Sequence, residues 1–206
     1  MKAFGKLIHN LAGWVKAIAV SLLLAILVTV FVVQPYTVDG RSMEPSLAGL
    51  TGGDDHADRV MALKTPYVFG ITPEYGEIII VDSRVDRERT WKDVFFESPF
   101  LSIFDDTKEE TNHKWIKRVI GEPGDRIEIS NGIVYRNGEK QDEDYINENG
   151  IQADFPEVTV PEDALFVMGD NRNGSMDSRN VGPVPIDNVI GKVVLRYYPF
   201  DRVGSF

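Results

Sequence analysis

Two side chains in this sequence carry the makings of a nucleophile and its base. Ser42 lies in D-G-R-S-M-E-P-S-L. Gly40 permits unusual backbone angles and close approach by another chain, and Pro45 fixes the turn that follows. A rigid turn presenting a hydroxyl, with backbone N–H groups beside it, suits attack on a carbonyl and stabilisation of the resulting oxyanion. A serine hydroxyl is weak without a base. A neutral lysine can serve, but at pH 7 only about one ordinary lysine in a few thousand is neutral. Burial lowers its pKa. Lys117, in W-I-K-R-V-I, is the lysine best placed for this. Strand alternation puts it on one face with Trp115 and Val119, and turns Arg118 away with Ile116 and Ile120. Taken singly, Ser42 also reads as an ordinary turn serine and Lys117 as a surface lysine, both common situations.

A third segment, M-G-D-N-R-N-G-S-M-D-S-R-N-V-G-P-V-P from Met168 to Pro185, follows an apolar run and is dense in polar residues. Asp170, Arg172, Asp177 and Arg179 suit carboxylate–guanidinium pairs that would hold such a loop, and Ser175 and Ser178 add hydroxyls. A solvated loop is the simpler alternative. Other chemistries lack their residues. His9, His56 and His113 form no spaced cluster with carboxylates, so metal hydrolysis has no support. There is no G-x-S-x-G elbow, phosphate-binding loop or dinucleotide fingerprint, and no cofactor is expected. The chain has no cysteine, which removes disulfides, thiolate zinc sites and thiol catalysis. A formal net charge of -10 speaks against a nucleic-acid partner.

The elements that must position these residues fall into two parts. Residues 1–38 contain Lys2, Lys6 and Lys16 and no acid, whereas all 32 acidic residues lie beyond them. No charge occurs from Ala17 to Val38. As a helix, Ala17–Val33 would rise about 26 Å, close to the ~30 Å of a bilayer's hydrocarbon. Trp14 and Tyr36 flank the run, and the lysines before it place that end in the cytoplasm. A cleavable leader would be shorter and end in small residues; this run leads into V-F-V-V-Q-P-Y. The expected division is a cytoplasmic segment (1–16), a single transmembrane anchor (17–36) and an extracytoplasmic domain (37–206), with the lipid bilayer as a partner. Pro35 is read as the end of the helical pattern.

Beyond the anchor the sequence predicts antiparallel β structure. Strands are expected at Glu77–Asp82, Trp115–Ile120, Arg126–Ser130, the following I-V-Y-R, Ala164–Met168 and Val189–Tyr198. Asn131-Gly132 and Asn137-Gly138 mark hairpins and Pro123-Gly124 a type II turn. Many short strands punctuated by turns indicate a sheet assembly or partly closed barrel. Residues 52–58 read as a polar loop. Residues 86–112, rich in charges and aromatics, read as an inserted flap covering the sheet, with membrane-interface contact as the alternative.

Read in order after an apolar anchor, S-M-E-P-S-L, G-E-I-I-I-V-D, K-R-V-I-G-E-P-G-D and G-D-N-R-N-G-S-M-D-S-R resemble the type I signal peptidase family over most of residues 38–198. The resemblance implies a mainly β catalytic domain and a Ser–Lys dyad. The family cleaves the signal peptides of secreted preproteins after small residues at the first and third positions before the cut. It makes Ser42 the nucleophile and Lys117 the general base, acting through an acyl-enzyme. Ser175 matches a hydroxyl that orients the lysine amine, Asp177 and Arg179 match residues that shape the site, and Asp170 and Arg172 match structural ones. Met43 matches a residue near the substrate pocket. Ser46 stands where the family often has Thr. Gly40 departs from members with Ser there, so one oxyanion donor is missing. That glycine, the single anchor and a lysine where endoplasmic-reticulum members have histidine resemble the bacterial, Gram-positive branch, in the plasma membrane. Two rival classes remain. Self-cleaving repressors share a Ser–Lys dyad but need a basic DNA-binding module, and an anchored β-domain could bind partners without catalysis.

Overall fold

The computed structural model describes residues 2–50, 57–87, 89–98, 113–146 and 150–206, with the side chains of those residues other than 2–9, 12 and 96. Helix α1 spans Lys2–Phe31. Its stretch Gly13–Phe31 is long and apolar enough to cross a membrane. Ile18 and Leu24 remain 64% and 56% exposed, so the helix is not part of the domain's core, and its surface suits hydrocarbon. The lone hydroxyl in its last turns, Thr29 Oγ1, is satisfied within the helix by the carbonyls of Ala25 and Ile26.

The helix ends at Phe31, four residues before Pro35. Val33–Thr37 instead form strand β1, paired antiparallel with β2 (Arg59–Leu63) from Val33↔Leu63 to Thr37↔Arg59. Long-range pairing with β2 thus outcompetes continuation of the apolar helix, and the expected anchor boundary at 36 falls inside the sheet. Pro35 sits in this end strand, where a missing N–H disturbs no inner ladder.

The expected mainly antiparallel β fold is present. After α2 (Thr65–Val68) come β3 (Ile78–Asp82), α3 (Trp91–Phe96), β4 (Lys114–Gly121), β5 (Arg126–Ser130), β6 (Ile133–Arg136) and β7 (Glu139–Lys140). There follow β8 (Phe155–Thr159), β9 (Ala164–Met168), α4 (Ser178–Val181), β10 (Val184–Pro185), β11 (Val189–Tyr198) and β12 (Gly204–Ser205). The larger sheet runs β1-β2-β11-β3-β4-β9-β10, with β12 also on β11; the smaller runs β7-β6-β5-β8. Asn131 and Gly132 both take positive φ (51° and 79°), as do Asn137 and Gly138 (56° and 82°), the geometry that type I′ hairpins demand.

β3 and β9 are buried at every position, as befits inner strands covered on both faces. Val38, Met43, Leu47, Val60, Ile78 and Ile190 form one core cluster, and Ile79, Val119, Leu165 and Val167 belong to another across the same sheet. Of the aromatic insertion, α3 is described: it packs on the end of α1, with Phe95 edge-on to Phe31 at 5.8 Å. Residues 88 and 99–112 of the insertion, and 52–56 of the polar loop, lie outside the described residues.

Candidate active site

Ser42 occupies the turn between β1 and β2. Gly40, at φ +71°, reverses the chain there, and its N–H reaches the Leu50 carbonyl at 3.3 Å. Met43 and Leu47 sink into the core and hold the turn from beneath. Asp58, wholly buried, clamps its back: Oδ2 accepts from the Ala48 N–H at 2.9 Å and from Arg196 at 3.2 Å. Arg196 also donates to the Ser46 carbonyl at 2.9 Å.

Lys117 lies mid-strand in β4, opposite Ile79 of β3, while its neighbour Arg118 faces Met168 of β9. It is 3% exposed, and its ammonium position is 5.4 Å from the Trp115 ring centroid. Strand alternation accounts for this: Lys117 projects with Trp115, and Arg118 projects elsewhere to Asp170. Lys117 Nζ donates to Ser42 Oγ at 2.9 Å. Burial pulls the Lys117 amine down to about 8; Asp177 and Asp170 oppose that, and Arg179 adds to it. At pH 8 about half the amines are then neutral.

The segment after β9 closes the third side. A Cβ on Gly169 would fall 2.3 Å from the Ser42 carbonyl oxygen and 2.3 Å from Ser175 Oγ, so only glycine lets this backbone pass. Asn171 then binds the serine turn twice, its N–H to the Ser42 carbonyl at 3.0 Å and its Nδ2 to the Arg41 carbonyl at 3.1 Å. Asp177 caps α4 and accepts from the Gly169 N–H at 3.0 Å. Burial pushes its carboxyl up, yet the Arg179 guanidinium and the Gly169 N–H outweigh that and hold it below its usual value. The Ser42 N–H has no partner among the described residues. Among those residues no three His, Asp or Glu converge as metal ligands.

A family model described as signal peptidase, peptidase S26, matches residues 11–198. The chain belongs to the signal peptidase family, peptidase S26. It is accordingly a serine peptidase, a hydrolase of peptide bonds. It is 33% identical over 205 residues to a signal peptidase I of Bacillus licheniformis, covering 95% of this chain and 92% of that one. It is 36% identical over 191 residues to a probable signal peptidase I-1 of Synechocystis, covering 93% and 84%. The likeness therefore extends beyond Gram-positive bacteria. A solved signal peptidase I from Enterococcus faecalis is 27% identical, with a TM-score of 0.43 over 59% of this chain and 97% of that one.

The structure brings Ser42, Lys117, Asp177 and Arg179 together, with Met43 in the core beneath the serine turn. Ser175 differs from expectation. Its Oγ makes a 3.5 Å contact with the Met176 carbonyl and helps hold Asp177, and no hydrogen bond joins it to Lys117 among the described residues. Of the four charged residues in the 168–185 segment, only Asp177 and Arg179 pair with each other. Asp170 pairs with Arg118, at 2.7 Å, and Arg172 pairs with Glu143. Tyr145 lies between the two arginines, with the Arg118 guanidinium 3.9 Å from its ring centroid. Arg118, Glu143, Tyr145 and Gly169 carry no local signal that marks them. Only the pairing of β4 with β9 reveals what Arg118 and Gly169 do.

Proposed function

We propose that this chain is a membrane-anchored endopeptidase that removes N-terminal signal peptides from exported preproteins, with Ser42 as nucleophile and Lys117 as general base. The observation that carries the reading is the 2.9 Å approach of Lys117 Nζ to Ser42 Oγ. One group comes from a turn, the other from a buried strand face that pulls the amine down to about 8. A hydroxyl beside a desolvated amine is the pairing that activates a nucleophile.

The proton path follows from that geometry. Neutral Lys117 takes the Ser42 proton as Oγ attacks the scissile carbonyl. The Ser42 N–H, which has no partner among the described residues, is assigned to the developing oxyanion; Gly40 adds no side-chain donor. Lys117 then gives its proton to the leaving amine nitrogen, and the acyl-enzyme ester remains. Water attacks that ester, Lys117 accepts its proton and returns it to Ser42 Oγ, and the carboxylate product leaves. Asp177 and Arg179 bias the amine from opposite directions. Cleavage after small residues at the first and third positions before the cut follows the family.

Lys2, Lys6 and Lys16, in the N-terminal half of α1, support an N-terminus in the cytoplasm and residues 37–206 on the outer face of the bacterial membrane. Anchoring raises the local concentration of a substrate that is itself emerging from that membrane. Incubation of the detergent-solubilised full chain with a preprotein tests the assignment. Wild type should release the mature product and Ser42→Ala should not, with both giving the same circular dichroism; release by Ser42→Ala at the wild-type rate overturns it.

A further inference from the structure

The chain that follows the serine turn leaves and re-enters the fold at one point. The Asp58 N–H donates to the Ala48 carbonyl at 2.8 Å, and the Ala48 N–H donates to Asp58 Oδ2 at 2.9 Å. Just past Ala48, Gly49 and Leu50 run beside residues 38–40, with Leu50 in a parallel bridge to Asp39. Leu50 bonds on both sides of that bridge. Its N–H donates to the Val38 carbonyl at 3.2 Å, and its carbonyl accepts from the Gly40 N–H at 3.3 Å. Gly49 comes closer still. A Cβ there would overlap the Gly40 carbonyl oxygen outright and stand 2.8 Å from the Gly40 nitrogen. Only a glycine lets the two backbones approach in this way.

The serine turn is therefore gripped at both ends. Asn171 holds the far end through the Ser42 and Arg41 carbonyls. Gly49 and Leu50 hold the near end at Gly40, entirely through backbone. Between the grips the Ser42 N–H has no partner among the described residues. Gly40 has no side chain to anchor it and sits at φ +71°. Left unbraced, such a residue samples many backbone angles, and each change swings the peptides that follow. A donor to an oxyanion works by being aimed before the charge develops.

We infer that Gly49 and Leu50 are positioning residues for the oxyanion: their backbone braces Gly40 and so fixes the direction of the Ser42 N–H. They touch no reacting atom. The inference rests on Ser42 as the nucleophile proposed above, and deepens that reading.

Two changes loosen the brace in the full-length, detergent-solubilised protein. Gly49→Ala forces the two backbones apart. Replacement of Leu50 by its α-hydroxy acid removes only the N–H that reaches Val38 and keeps the side chain. Each variant is assayed for kcat and KM with a preprotein. Each is also titrated with two short peptides that differ only at the end, alanine aldehyde in one and alaninol in the other. Ser42 Oγ adds to the aldehyde carbon, its proton passes to Lys117, and the former carbonyl oxygen carries the charge. The alcohol cannot add and reports ground-state binding alone. Gly49→Ala should lower kcat and aldehyde affinity together by about tenfold or more, and the hydroxy acid by about threefold. KM and alcohol affinity should stay within about twofold of wild type. Should circular dichroism show Gly49→Ala unfolded, the hydroxy-acid variant decides alone. Wild-type kcat in the folded variants overturns the brace. So does a loss of kcat that alcohol affinity follows, or one that leaves aldehyde affinity unchanged. In each of these cases, acylation of Ser42 in the wild type leaves the nucleophile standing. If the wild type is not acylated on Ser42, the nucleophile falls and the brace with it.

Discussion

Lys117 and Lys64 occupy similarly dry surroundings, 3% and 1% exposed. Burial pulls both amines down to about 8. Around Lys64 the pull is modulated by Glu97 on one side and by Arg89 and Lys114 on the other; around Lys117 the corresponding groups are Asp177 and Arg179. The two differ in what the amine touches. Lys117 reaches a serine hydroxyl at 2.9 Å, and Lys64 an amide oxygen at 3.2 Å. An amide oxygen has no proton to give and attacks nothing. A depressed pKa therefore marks a candidate base, and the partner decides whether there is chemistry for it.

The comparison breaks most simply by truncating each amine. Lys117→Met should lower preprotein cleavage by about 10³-fold or more, whereas Lys64→Met should leave it within a few-fold. Equal losses in a quantitative gel assay would mean that the hydroxyl partner does not distinguish the two sites.

Glycines beside each lysine site sharpen the same contrast. A Cβ at 169 would press on the Ser42 carbonyl at 2.3 Å, and one at 191 on the Leu63 carbonyl at 2.8 Å and on Lys64 Cγ at 3.3 Å. Gly169→Ala should cost about 10²-fold in kcat through displacement of Ser42. Gly191→Ala should cost about 1–3 kcal/mol of stability with kcat of the folded enzyme little changed. Kinetics and urea melts on both variants separate the two.

Stability against pH should carry both lysines. Between pH of about 8 and 10.5 each folded amine is neutral while its unfolded counterpart still binds a proton. Stability therefore rises with pH across that window and is lowest, and flat in this contribution, below it. At pH 7, Lys117→Met should be more stable than wild type by up to about 3 kcal/mol. Lys64→Met should gain less, because Gln34 Oε1 is left without its donor. Urea unfolding at pH 7 and pH 10 measures both the gain and the reduced slope.

The smallest effect concerns the surrounding charges. Arg179 repels the Lys117 ammonium and pairs with Asp177, which attracts it. Arg179→Gln should raise the Lys117 pKa by less than about one unit. The alkaline rise of kcat/KM then moves upward and activity at pH 7 falls. A downward move would contradict the sign.

Much of this was legible in the sequence. Alternation in W-I-K-R-V-I placed Lys117 on the Trp115 side, and the Asn-Gly pairs located two hairpins, because both signals are local. The end of α1 was not legible, since Val33–Tyr36 is apolar enough for a helix and joins the sheet only through its pairing with β2. The partners of Asp170 and Arg172 were missed for the same reason. Arg118 and Glu143 are remote in sequence, and any arginine or glutamate could have served. Ser175, assigned by resemblance to orient the lysine, faces the Met176 carbonyl and Asp177 instead. Nothing near Lys64 in the chain announces a buried amine.

The most direct measurement is the rate of acyl-enzyme formation against pH, read by rapid quench with the full-length protein and a preprotein and mapped by mass spectrometry. The account predicts an adduct on Ser42 whose formation rate rises through a midpoint of about 8, the pKa of Lys117, and is lost in Lys117→Met. An adduct on another residue, or a Ser42 acylation rate unchanged from pH 6 to 10, would contradict it.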